Sequence, residues 1–306
     1  MRPAKAEPGW QAGRSTEGVT PAPTSYLAEG STTVFNEAIT VLNPTNAPID
    51  VTFDPFSGSG PLTPHTVRIP TGPGRFKVAM RDWIGSVDHG TRVTGRTLGE
   101  EPVGIVVERT ITWEWAAGEP EGHSTPGVSA LSSDWYFAEG DLAYFATFYA
   151  LLNPGTTDAT VRLQYLHANG QTYTQDVTVG AGRRATAYPG SVPAGAFGCH
   201  VTVLSGPPIA AERMLYGGPN WTISHAGVGS TDVGTAWDFS EGANSWQFET
   251  YLLLANPNLT TAASVSLTFT QTDGTVITSS TTVPAGARVN LWTKGITGPS
   301  NITMLS

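Results

Sequence analysis

Three stretches of this chain are versions of one another, and that repetition limits the fold more than any other feature. Tyr26-Leu-Ala-Glu-Gly30 precedes Ile39-Thr-Val-Leu-Asn-Pro44. Trp135-Tyr-Phe-Ala-Glu-Gly140 precedes Tyr149-Ala-Leu-Leu-Asn-Pro154, and Trp237-Asp-Phe-Ser-Glu-Gly242 precedes Leu252-Leu-Leu-Ala-Asn-Pro257. Landmarks follow in the same order: Ile105-Val-Val-Glu-Arg109 matches Ile209-Ala-Ala-Glu-Arg213, and Val179-Gly-Ala-Gly-Arg183 matches Val283-Pro-Ala-Gly-Ala-Arg288. His123 before Gly127-Val128 resembles His225 before Gly227-Val228. A period of about 105 residues is far longer than the 20–50 of solenoid repeats, so each unit is a domain. The spacing divides the chain into an arm over 1–25 resembling the tail of a preceding unit, then units over 26–131, 132–233 and 234–306.

The second unit carries seven strand-like segments, from Trp135–Ala138 to Ile209–Tyr216. Val161, Leu163 and Tyr165 alternate with Thr160, Arg162 and Gln164, the period of a strand with one buried face. Asn169-Gly170 and Asp273-Gly274 sit where hairpin turns need positive φ, and Asn-Pro ends a ladder. No segment shows a helical period. Seven short strands in about 100 residues predict an all-β chain of tandem immunoglobulin-like β-sandwich domains. Asn301-Ile-Thr-Met-Leu-Ser306 aligns with His200-Val-Thr-Val-Leu-Ser205, so the third domain is expected to lack its last strand. The first unit reads as carrying an insertion over roughly Asp82 to Glu101.

Composition narrows the function. The 35 Gly and 23 Pro disfavour helices, and charged residues are only 13%, well under the quarter usual in soluble domains. Net charge is -9, and Lys5, Lys77 and Lys294 are the only lysines. The chain therefore offers no footprint for a nucleic-acid backbone or anionic lipid. No run approaches the roughly 20 apolar residues of a membrane span. Met1-Arg-Pro-Ala-Lys-Ala-Glu7 lacks the apolar core of a signal peptide, and composition favours numbering that begins after processing or at a boundary. The lone Cys199, within an apolar strand pattern, reads as a buried small hydrophobe.

No catalytic motif emerges. There is no G-x-S-x-G elbow, no H-x-H or H-E-x-x-H, no calcium loop and no phosphate-cradling glycine run. The expectation is no enzyme, no metal and no cofactor. The recurrent Glu29, Glu139 and Glu241 end first strands, while Arg109 and Arg213 lie in last strands, which the expected fold makes neighbours. They are read as structural cross-strand carboxylate–guanidinium pairs, since a role repeated in every unit suits structure. A glycosidase-like pair of Glu139 with Glu212 is the catalytic alternative. Trp135 and Trp237 recur at one strand position and read as core or interdomain packing. Trp113 and Trp115, two residues apart in a strand, share a face and form the candidate glycan-binding platform. His123 and His225 are read as fixing a domain junction by hydrogen bonds.

The pattern W-Y-x-A-E-G, L-L-N-P, V-P-A-G-x-R, E-R and H-x-G-V resembles a tandem repeat of large secreted or cell-surface bacterial proteins. That resemblance implies an exported, surface-associated or polymeric role and no catalysis. The expected partners are copies of the chain, with cell-surface glycan as the adhesive alternative, and no nucleic acid or inserted membrane. Arg2 stands eight residues before Trp10, as Arg213 does before Trp221. Two readings follow: the chain is a piece of a longer array whose boundaries ignore domain edges, or the arm of a neighbour completes the third domain, which makes Arg2, Trp10 and Val19 of the arm, with Ile302 and Met304 of the open domain, candidate assembly residues.

Overall fold

The computed structural model describes residues 18–71, 74–114, 121–218, 221–244 and 248–298, and the backbone of 301–305. Alternation decides where the chain is extended. In Ala159–His167, Val161, Leu163 and Tyr165 have no exposed surface, while Arg162 between them is exposed. The result is an all-β chain of antiparallel sheets arranged as successive two-layered sandwiches.

The first unit holds β1 (Thr24–Leu27), β2 (Asn36–Asn43), β3 (Ile49–Ser57), β4 (Gly60–Pro61), β5 (His65–Ile69), β6 (Gly74–Ala79), β7 (His89–Thr97), β8 (Val106–Trp113) and β9 (Glu121–Pro126). One sheet runs β1-β7-β3-β4, with β5 also beside β3, and the other runs β6-β2-β8-β9. The second unit holds β10 (Asp134–Phe137), β11 (Phe145–Asn153), β12 (Ala159–His167), β13 (Thr172–Val179), β14 (Arg183–Ala187), β15 (Phe197–Ser205), β16 (Ala210–Gly217) and β17 (Ile223–Val228). Its sheets run β10-β15-β12-β13 and β14-β11-β16-β17. In the third unit, β18 (Phe239–Ala243), β23 (Asn301–Leu305), β20 (Ala263–Gln271) and β21 (Val276–Val283) make one sheet. β19 (Tyr251–Asn256) and β22 (Ala287–Trp292) make the other.

The strand order departs from the A-B-E-D and C-F-G sheets of an immunoglobulin constant-type domain. The first strand of the second unit pairs with the sixth, and the seventh pairs with the second. First and last strands therefore lie in opposite sheets rather than side by side. The region expected to be an insertion holds instead a single helical turn (Arg81–Ile84) and β7, the counterpart of β15. The third unit carries the same turn at Lys294–Thr297. Met304 stands opposite Phe269 as Cys199 stands opposite Tyr165. This register is shifted by four residues from the sequence alignment, an even shift that leaves each residue on the same face.

The Asn-Pro pairs do more than end strands. Asn43, Asn153 and Asn256 are buried, and each Nδ2 donates 2.8 Å to a carbonyl four or five residues on, at Ala47, Thr157 and Thr261. Each Oδ1 accepts from the amide two residues on. One side chain thus satisfies a loop that would otherwise leave polar groups unpaired near a core.

Each of the first two units has a core of its own between its sheets. That of the second includes Trp135, Tyr149, Tyr165 and Phe197 with Cys199, whose thiol burial pushes well above its ordinary value. In the third, the buried apolar cluster among the described residues is Leu252, Leu267 and Phe269, with Val283 and Ala287 buried beside it. Trp237, expected in the core or in interdomain packing by its recurrence with Trp135, is 48% exposed.

Candidate functional site

Sheet β14-β11-β16-β17 has two working faces. Tyr149 and Leu151 of β11 enter the core of the second unit. Ala150, Leu152, Ala210, Met214, Tyr216 and Ala226 face the other way and pack with Ala28, Phe35, Phe56, Ile111 and Trp113 of the first unit. The junction between units is therefore built like a core. Phe35 stacks on Tyr216 at 5.8 Å and on Trp221 at 6.1 Å, and the Trp113 indole donates 3.2 Å to the Trp221 carbonyl.

Charges sit inside this apolar collar. Arg109, fully buried, donates Nη1 to the Glu29 carbonyl at 2.6 Å and Nη2 to Glu29 Oε2 at 2.6 Å. The same Nη2 lies 2.8 Å from Oε2 of Glu212, which belongs to the next unit. Glu212 Oε1 accepts from the Ala28 amide at 2.6 Å. The Tyr216 hydroxyl donates to Glu29 Oε1 at 3.0 Å, and His123 Nε2 lies 3.4 Å from that hydroxyl. Nearby, His89 and Glu37, both without exposed surface, meet at 2.9 Å. Burial pushes the Glu29 and Glu212 carboxyls above their usual range, against the pull of Arg109. Burial also opposes the charge on Arg109, but Glu212 and Glu29 outweigh it and hold the guanidinium firmly protonated.

The equivalent site in the second unit is leaner. Arg213 Nη1 lies 2.5 Å from Glu139 Oε2, and Nη2 meets His225 Nδ1 at 2.6 Å. Arg288 of the third unit reaches over, its Nη1 donating 3.4 Å to the Gly140 carbonyl. Burial works against an ionised Glu139, but the His225 hydrogen bond and the charge of Arg213 win and hold its carboxyl down at about 2. Among the described residues no carboxylate of the third unit reaches Arg213, and no buried apolar cluster spans this junction.

Glu29 and Arg109 thus meet, as do Glu139 and Arg213, but each pair bridges the two sheets of its unit instead of adjacent strands. Glu241 is exposed and has no ion-pair partner among the described residues. Glu139 and Glu212 serve successive junctions: Glu139 meets Arg213 and His225, while Glu212 meets Arg109 and the Ala28 amide. Trp113 is 2% exposed, sealed into the junction, which removes it as a sugar platform. Arg2, Trp10 and Trp115 lie outside the described residues, as do the side chains of Ile302 and Met304. Val19 is half-buried on the wall of an open cleft of about 360 Å³ at the link between the first two units, with Trp135 and Val228. Sequence reasoning missed Glu212 as a bridge between units, although its recurrence with Glu108 marked it. It also missed Tyr216 and the Glu37–His89 pair, which occur once and carry no repeat signal, and Phe35, although Phe145 and Phe248 recur at its position eight residues before the shared asparagine.

Comparisons with known proteins add little. No family model matches the chain, and no curated protein does. Among solved structures, a tetra-tandem repeat from the extending region of a large adhesion protein is 13% identical over 89% of this chain and 66% of that one. The chain thus spans just under two thirds of that neighbour, and the TM-score is 0.14. Among the described residues no helix is long and apolar enough to cross a membrane.

Proposed function

We propose that the chain is a structural module of an extracellular or cell-surface array, whose sandwiches dock end to end in a fixed geometry, and that it carries out no catalysis. The observation that carries this reading is the first junction, where one unit supplies Glu29 and Arg109 and the next supplies Glu212 and Tyr216. An interface with its own apolar collar and an interlocked ion triad fixes an angle between domains. A flexible linker would need neither. Repeated head to tail between copies, the same docking would build a stalk, filament or surface layer, since a heterologous contact that does not close gives an open polymer. A neighbour's N-terminal arm completing the third sandwich would be one such contact. The adhesive, glycan-binding reading draws no support from the buried Trp113.

Small-angle scattering tests the docking. The wild-type chain is expected to give a distance distribution of fixed maximum extent, and Glu212→Ala a broader one, with bending at the first junction. An unchanged distribution for the variant would remove the junction as the determinant of shape. Electron microscopy of the concentrated protein then asks for fibres with an axial repeat, and only separate particles would count against polymerisation.

A further inference from the structure

The first junction encloses more negative charge than positive. The first unit supplies Glu29, Glu37 and Arg109, all buried. Docking adds the buried Glu212 and the half-buried Arg184 of β14, whose charge acts on Asp88, Glu29 and Glu37. Three buried carboxylates thus face two guanidinium groups. They are not paired one to one, because a single nitrogen, Arg109 Nη2, serves Glu29 Oε2 at 2.6 Å and Glu212 Oε2 at 2.8 Å. Glu37 Oε1 is buried without a hydrogen-bond partner among the described residues. Two imidazoles lie against the surplus. His89 Nε2 meets Glu37 Oε2 at 2.9 Å, with its Nδ1 3.0 Å from Thr91 Oγ1, and His123 Nε2 lies 3.6 Å from Glu29 Oε1. Around the enclosure also stand Tyr216, which donates to Glu29, Asp88, held by the Ser31 hydroxyl at 2.6 Å, and the half-buried Glu121, two residues before His123 on β9.

We propose that this junction is a proton-operated latch: the docked units hold one proton more than the parted ones, so acid tightens the docking and rising pH loosens it. Apart, the two faces lie open to water, which screens a surplus carboxylate. Docked, the collar of Phe35, Trp113, Met214 and Tyr216 shuts solvent out. An excess of like charge in a low-dielectric site is then relieved by taking up a proton. The upward displacement of the Glu29 and Glu212 carboxyls has this sign. Burial is its first cause in both, and each is raised further by a neighbouring glutamate, Glu37 for the one and Glu29 for the other. A carboxyl raised in the docked state contributes fully below its ordinary value of 4.5, and the contribution fades as pH climbs through the raised value. The latch therefore works above pH 4.5, in the direction opposite to an ordinary salt bridge, which acid breaks. This regulation rests on the end-to-end docking proposed above.

The Ala28 amide reports the latch, since it donates across the junction to Glu212 Oε1 at 2.6 Å. Amide hydrogen exchange of the intact chain is followed from about pH 5 to 8 and corrected for the intrinsic rate. Val161, Leu163 and Tyr165 in the core of the second unit serve as the reference. Protection of Ala28 is expected to fall about tenfold or more relative to them, the response of an equilibrium linked to one proton over one pH unit. Glu212→Gln keeps an oxygen for Ala28 and removes the surplus charge, so its Ala28 protection should not change with pH. Glu37→Gln removes that charge from the other side of the enclosure and should flatten the response as well. A flat wild-type response, a slope that both variants retain, or a reference that falls together with Ala28 would overturn the latch. Should Glu212→Ala broaden the scattering at every pH while wild-type Ala28 stays flat, the docking stands and the latch does not. Scattering unchanged by Glu212→Ala would remove the docking, and the latch with it.

Discussion

The two junctions of this chain use the same two residues from the preceding unit, a glutamate and an arginine, and differ in everything around them. At the first, Arg109 has no exposed surface and lies between two carboxylates, inside a collar of Phe35, Trp113, Met214 and Tyr216. At the second, Glu139 keeps 31% of its side chain in solvent, His225 meets the Arg213 Nη2, and among the described residues no apolar collar closes. The lesson is that an ion pair gains structural weight from its enclosure. A buried pair is costly to break because one partner is left charged in a low-dielectric site, whereas an exposed pair leaves its partner to water.

That contrast sets the largest expected effect. Arg109→Met removes the guanidinium that bonds both Glu29 and Glu212 and leaves two buried carboxylates facing each other. A loss of about 3–5 kcal/mol is expected, read as a fall of about 10 °C or more in melting temperature. Adding Glu212→Gln to Arg109→Met should recover part of it, because one of the stranded charges is gone. A variant that melts with the wild type would mean the triad is decoration.

Tyr216→Phe probes the same enclosure more gently. It keeps the ring against Phe35 and removes only the hydroxyl that donates to Glu29. A buried hydrogen bond to a charged group is worth about 1.5–3 kcal/mol, so the melting midpoint should fall, but by less than for Arg109→Met. At the second junction, Arg213→Ala should cost about 1 kcal/mol, since Glu139 can turn to water. Equal losses at Arg109 and Arg213 would show that enclosure does not separate the junctions.

How much of this was legible in the sequence follows the same divide. Whatever repeats could be read: the all-β class, the tandem units, and Glu29, Glu139, Arg109 and Arg213 as partners. Their geometry could not, because recurrence says that two residues belong together without saying which sheets carry them. Glu212 was visible as one letter of a recurring motif, yet repetition cannot tell a bond within a unit from one made to the unit before. Trp113 was misplaced for a related reason. Period two puts a side chain on a face, and only the packing of the next unit decides whether that face is wet. Phe35 recurs as Phe145 and Phe248, yet recurrence does not say that it packs against the next unit, and Tyr216 and the Glu37–His89 pair occur once, so only coordinates reveal them.

The smallest expected effect is a difference in pH response, and its sign separates the junctions. The Glu139 carboxyl is held down at about 2 in the folded chain against an ordinary value of 4.5. Its contribution is complete above the ordinary value and is lost as pH falls through that value toward 2. Glu29 and Glu212 are shifted upward. Their ionisation therefore costs stability as pH rises from 4.5 through their raised values, and acidification relieves that cost. Melting temperatures of wild type and Glu139→Gln should differ at pH 7 and converge between pH 4.5 and 2. Those of wild type and Glu212→Gln should move the opposite way over the first stretch of acidification, wild type gaining on the variant as its own carboxyl takes up a proton. Parallel curves for the two variants would mean that both carboxylates sit in equivalent surroundings, and the distinction between a sealed and an open junction would fall with them.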